Sequence, residues 1–144
     1  MKREFLVTKS LRLIIQHNHI LDGSFPHPEL LVNPSNIGLQ GSRNNNYWMF
    51  MGRKNVDTAI HAAAGKELQN HCDNFMVNQA TKAGDCVITP SFNLQSSHGI
   101  QRLAHVVTPR MTALSSVEDS AEGIQLKSEL QRCVNLVIHI LSSP

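Results

Sequence analysis

Aromatic side chains are scarce in this chain: five Phe, one Tyr and one Trp among 144 residues. Any core must therefore be built mostly from Leu, Ile, Val and Ala. An excess of one charge is also missing, with 13 Lys and Arg against 11 Asp and Glu. Lys2, Arg3, Lys9, Arg12, Arg53 and Lys54 are spread out, and Arg53-Lys54 is the one local cluster worth weighing. A nucleic-acid surface needs a concentrated basic patch, so that partner is excluded. The three cysteines, Cys72, Cys86 and Cys133, form no Cys-x-x-Cys pair. They are expected as buried thiols in a reducing compartment. No apolar run is long enough to span a bilayer, and Lys9 and Arg12 interrupt any leader-like stretch. The expectation is a soluble intracellular protein, cytoplasmic or nuclear, with no membrane association.

Two motifs fail on inspection. Ala64-Gly65-Lys66-Glu67 lacks the upstream Gly and the Ser or Thr after Lys that a P-loop requires. His17, His19 and His27 have no Cys or carboxylate at ligand spacing, so they read as surface histidines; no metal and no cofactor are expected.

What is present is an alternation of strand-like and helical patterns over one domain, 1–144. Leu11–Ile15, Leu30–Val32, Cys86–Thr89 and Leu103–Val107 are short apolar runs bounded by turn residues, as buried strands are. From Val56 the period becomes helical: Val56, Ile60, Ala64, Leu68 and Cys72 form one stripe, read as a single helix or as two meeting at Gly65. Ser115 and Glu118 have capping-box spacing ahead of Leu126, Leu130, Cys133, Val134, Val137 and Leu141, a second amphipathic helix. The fold class is α/β.

Four blocks carry chemistry, in this order: Asn33-Pro34-Ser35-Asn36; Asn55-Val56-Asp57-Thr58-Ala59-Ile60-His61-Ala62-Ala63-Ala64-Gly65; Gly84 to Leu94, containing Thr89-Pro90; and Leu103-Ala104-His105-Val106-Val107-Thr108-Pro109. Asn offers a ribose both donor and acceptor, and a helix start offers a diphosphate N–H groups and partial positive charge. Together the blocks resemble the macro domain, the ADP-ribose-binding module. The resemblance implies a three-layer α/β/α sandwich with a mixed central sheet, here lacking the family's last strands and helix.

It also implies a ligand, ADP-ribose or a mono-ADP-ribosylated protein. Asn36 takes the position that contacts the distal ribose, and Asp57 the position that activates or orients a water at its anomeric carbon. Asn36 and Asp57 would then be catalytic, removing ADP-ribose from a carboxylate ester. Asn33 fills a more structural position. Gly52, Asn55 and Val56 belong to the phosphate loop and helix start, and Asp22 stands near the adenine-selecting position.

Departures from the family pattern are specific. Gly52-Arg53-Lys54-Asn55 stands where the family has four glycines, so Arg53 and Lys54 would meet phosphate through side chains. Tyr47, Trp48 and Phe50 lie in a longer loop, either covering a ligand ring or packing on the body. Read alone, Asp57 could be a first-turn acid, Asn33 and Asn36 Asx-turn residues, and His61 and His105 packed, hydrogen-bonded histidines. Strands missing from the sheet would leave edges that a partner or a second copy could complete. The rival reading is therefore a catalytically inactive macro-like interaction module that has lost ADP-ribose and self-associates through an incomplete sheet.

Overall fold

Period-two burial and glycine punctuation place the elements, as seen in a computed structural model that describes residues 2–6, 12–16, 19–22, 28–41, 55–109 and 120–142. β1 (Lys2–Leu6) and β2 (Arg12–Gln16) form an antiparallel ladder of their own. β3 (Leu30–Ser35) follows, its Leu31, Asn33 and Ser35 buried and its Val32 and Pro34 exposed.

α1 (Val56–Ala64) starts where Asn55 Oδ1 accepts the Thr58 N–H at 2.8 Å. It ends at Gly65, whose φ of 91° is a left-handed value and where an added Cβ would lie 2.6 Å from Asn93 Nδ2. Only glycine fits there, so the stripe is split and α2 (Lys66–Asn78) continues it at a new angle. Ile60, Ala64, Leu68 and Cys72 are fully buried, as their spacing requires, while Val56 is exposed.

β4 (Cys86–Pro90), α3 (Asn93–His98) and β5 (Arg102–Val107) complete a three-stranded sheet ordered β3-β5-β4. β3 runs parallel to β5, and β4 runs antiparallel to it, so the sheet is mixed. α4 (Ala121–Ser142) opens with the Ser120 hydroxyl accepting the Gly123 N–H at 2.9 Å. The Ser115–Glu118 capping box falls outside the described residues.

The layers follow from which side chains meet. Leu31, Val87, Leu103 and Val107 join Ile60, Ala64, Leu68, Cys72 and Leu94 in one core, so α1, α2 and α3 cover the inner face. Ala104 and Val106 point the other way, where buried Cys133 of α4 sets its thiol 3.8 Å from the Val107 carbonyl. Arg132 anchors the same helix to Asp85 at 2.7 Å. The chain thus has the α/β/α layering and mixed sheet expected of it.

One edge is unusual. The carbonyls of Glu29 and Ser35 accept from Arg102 and Thr108, so the odd-numbered residues of β3 face β5. Leu30, Val32 and Pro34 therefore turn their backbone groups outward, and Pro34 has no N–H to offer.

Candidate functional site

Strand register brings the first polar pair together. Asn33 and His105 are register partners, each the fourth residue of its strand, and both side chains enter the inner face. Each is 0% exposed. A polar side chain in that place must be hydrogen-bonded or it destabilises the fold by about 1–3 kcal/mol. Asn33 Nδ2 meets both Asp57 Oδ1 at 2.7 Å and His105 Nδ1 at 3.1 Å. His105 Nε2 lies 3.0 Å from the hydroxyl of Thr89, on β4, which donates to the Pro90 carbonyl at 3.0 Å. A continuous polar chain therefore crosses the sheet from β4 to the first turn of α1.

Asp57 is buried, with Asn55 capping the helix just before it. Burial raises its carboxyl pKa, opposed by the Asn33 hydrogen bond and the nearby His61 ring. His61 Nε2 is 3.5 Å from Asp57 Oδ1, and its ring meets His105 edge-on with centroids 5.7 Å apart. Burial pushes the His105 pKa down to about 4, helped by the His61 and His71 charges, so the ring is neutral at physiological pH. Two buried acceptors, Asn33 Oδ1 and the Ser35 hydroxyl, have no hydrogen-bond partner among the described residues.

Asn36, one residue past β3, is placed differently. Its Oδ1 accepts the Gly38 N–H at 2.9 Å and the Gln40 N–H at 3.3 Å, and its Nδ2 donates to the Gln40 carbonyl. That is an Asx-type turn built from its own loop. The amide found on Asp57 is that of Asn33, not of Asn36.

Among the other expected site residues, Asn55 is the cap of α1, Val56 is exposed at its first position, and Asp22 is exposed in the turn closed by its N–H on the His19 carbonyl. Gly52, Arg53, Lys54 and the Tyr47–Phe50 aromatics lie outside the described residues. Gly41 packs on His61 so closely that an added Cβ would lie 2.8 Å from its ring. His61 also lines an open cleft of about 400 Å³ with Gly41, Thr58, Gly65, Lys66 and Gln69. Sequence reasoning missed Thr89, and it left His105 as a packed histidine. The parity of β5, with Leu103 and Val107 on the same face, was the available signal.

The sequence model of the macro domain family matches residues 32–140, which contain this whole cluster. The chain belongs to the macro domain family. No functionally curated protein matches it. Among solved structures, a variant of the Oceanobacillus iheyensis macrodomain with ADPR is 21% identical at a TM-score of 0.69, matching 97% of this chain and 63% of that one. The same bacterium's macrodomain with ADP is also 21% identical at a TM-score of 0.69, over 97% and 62% of the two chains. The macro domain of ganglioside induced differentiation associated protein 2 is 18% identical at a TM-score of 0.55, over 83% and 47%. These likenesses are of fold, and this chain spans less than two thirds of each neighbour's length.

Proposed function

We propose that this macro domain recognises the ADP-ribosyl group, free or carried by a mono-ADP-ribosylated protein, and hydrolyses its ester to a carboxylate side chain. The observation that carries the reading is a buried Asp57 carboxylate fixed at the first turn of a helix above the sheet. Helix starts supply donors and positive potential to phosphates, and an open α/β sheet takes ligands beside such a helix. Asn55 and Val56 would offer backbone N–H groups to the diphosphate there, with Asp22 toward the base. Asp57 polarises a water, which attacks the anomeric carbon. The ester oxygen leaves on the carboxylate, and one water is consumed for each ADP-ribose released. Asn36 holds the distal ribose by exchanging its bonds to Gly38 and Gln40 for bonds to the sugar; Asn33 keeps Asp57 in place.

Titration calorimetry with ADP-ribose on wild type, Asn36→Ala and Asp57→Ala tests binding, and release of ADP-ribose from an ester-modified protein tests turnover. Expected are binding in the wild type and loss of turnover in Asp57→Ala. No heat at about millimolar ADP-ribose, a level at which even a weak site of about −4 kcal/mol is half filled, removes the reading.

A second reading is favoured by one observation: Val32 and Ile88 on the outer face, and Leu130, Val134 and Ile138 on α4, are all more than a third exposed. In that reading the module associates with itself through the outer edge of the sheet. Light scattering showing a monomer across concentration would dismiss it.

A further inference from the structure

The polar chain across the inner face has a direction, and its middle member sets it. Asn33 Nδ2 carries two hydrogens, one for Asp57 Oδ1 at 2.7 Å and one for His105 Nδ1 at 3.1 Å. Turning the amide over would press Oδ1 against a carboxylate oxygen, so the nitrogen belongs where it is. His105 Nδ1 must then accept, which leaves the ring hydrogen on Nε2, facing Thr89 Oγ1 at 3.0 Å. The hydrogen of that hydroxyl goes on to the Pro90 carbonyl. Each donor meets an acceptor, and reversing any one bond sets two like groups against each other. Asp57 Oδ2 makes no hydrogen bond to a described residue.

We propose that His105, held as its Nε2–H tautomer by Thr89, is a positioning residue for Asp57: it fixes the Asn33 amide so that Oδ1 is occupied and Oδ2 is the oxygen presented to water or ligand. Complete burial makes the arrangement stiff, because none of Asn33, His105 or Thr89 can find water as a substitute partner. The neutral ring that burial enforces is the form this chain needs. The other titratable groups whose charge reaches it are His61 on α1 and His71 on α2, with Asp57 joined to it through Asn33; β3 and β4 face it with uncharged Asn33 and Thr89. The effect on turnover rests on the ADP-ribosyl reading, whereas the tautomer and the Asp57 titration do not.

Nuclear magnetic resonance on the full chain decides it. Long-range proton–nitrogen spectra of labelled histidine should give His105 a bare Nδ1 and a protonated Nε2 at neutral pH. Thr89→Val should shift the ring into a mixture of tautomers and move the Asp57 carboxyl midpoint upward, and Thr89→Ser should restore both. Ester hydrolysis by Thr89→Val should fall on the order of tenfold with ADP-ribose affinity unchanged, the mark of a misplaced group. A proton on wild-type His105 Nδ1, or an Asp57 midpoint indifferent to Thr89→Val, overturns the proposal. If Thr89→Val does not fold, the wild-type tautomer alone decides. Expected spectra without any ADP-ribose binding would leave the positioning role standing and remove the ligand reading.

Discussion

The two faces of the same three strands are finished to different degrees. On the inner face every odd position from Leu31 to Ser35, and Leu103, His105 and Val107 opposite them, is buried beneath α1, α2 and α3. On the outer face Ala104 and Val106 are covered near Cys133, yet Val32 and Ile88 stay 37% and 39% exposed. Because strand side chains alternate, both faces come from one stretch of sequence, and only the helices differ. The inner face is where polar groups can be sealed from water and tuned. The outer one holds its helix through a salt bridge, a thiol contact and a narrow apolar strip.

The largest expected effect sharpens that contrast. Leu103→Ala removes a fully buried side chain of the inner core and should destabilise the fold by about 3 kcal/mol in chemical denaturation. A loss no greater than that of an outer-face substitution would mean that the two faces are equally loose.

Acid comes next. His105 takes its proton near 6.5 when unfolded but only near 4 when folded. Between those values the unfolded chain binds more protons, so stability falls as pH falls through that window, by about 3 kcal/mol in total, and is fully regained above it. Asp57 acts with the opposite sign: its raised folded pKa makes its contribution decline as pH rises through that value. His105→Gln should flatten the slope between about pH 4 and about pH 6.5 while leaving the Asp57 part. Equal slopes in wild type and variant would deny His105 this role.

The smallest effect belongs outside. Ile88→Ser should change the stability of the dilute monomer by under about 1 kcal/mol, because a 39% exposed side chain has little left to lose. If self-association exists, the same substitution should weaken it, as read by light scattering. A large loss of monomer stability instead would show that α4 packs on Ile88 more closely than its exposure suggests.

The legible parts of the sequence were those governed by local period. Ile60, Ala64, Leu68 and Cys72 announced a buried stripe, while Gly65 left one helix or two open until its left-handed φ showed the break. β3, β4 and β5 were readable from apolar runs between turns. β1 was not, since Lys2-Arg3-Glu4 has neither alternation nor apolar content. α3 was missed because six residues make too little pattern, and its entry residue Phe92 takes a φ of 51° that sequence does not advertise. The placement of the polar residues depended on parity and on strand length. Asn33 lies inside β3 on the buried face, and Asn36 lies past its end, so the two amides meet different surroundings although only three positions separate them. A shared strand register, which no local window contains, put His105 next to Asn33.

Pro34 limits what can be built onto this molecule from the side. A strand laid along the margin of β3 that no described strand pairs would find donors at Leu30 and Val32 and none at Pro34, so its registration would be anchored at one end and ragged at the other. Such a margin admits a short guest but interrupts the endless copying of one strand onto the next that makes fibres.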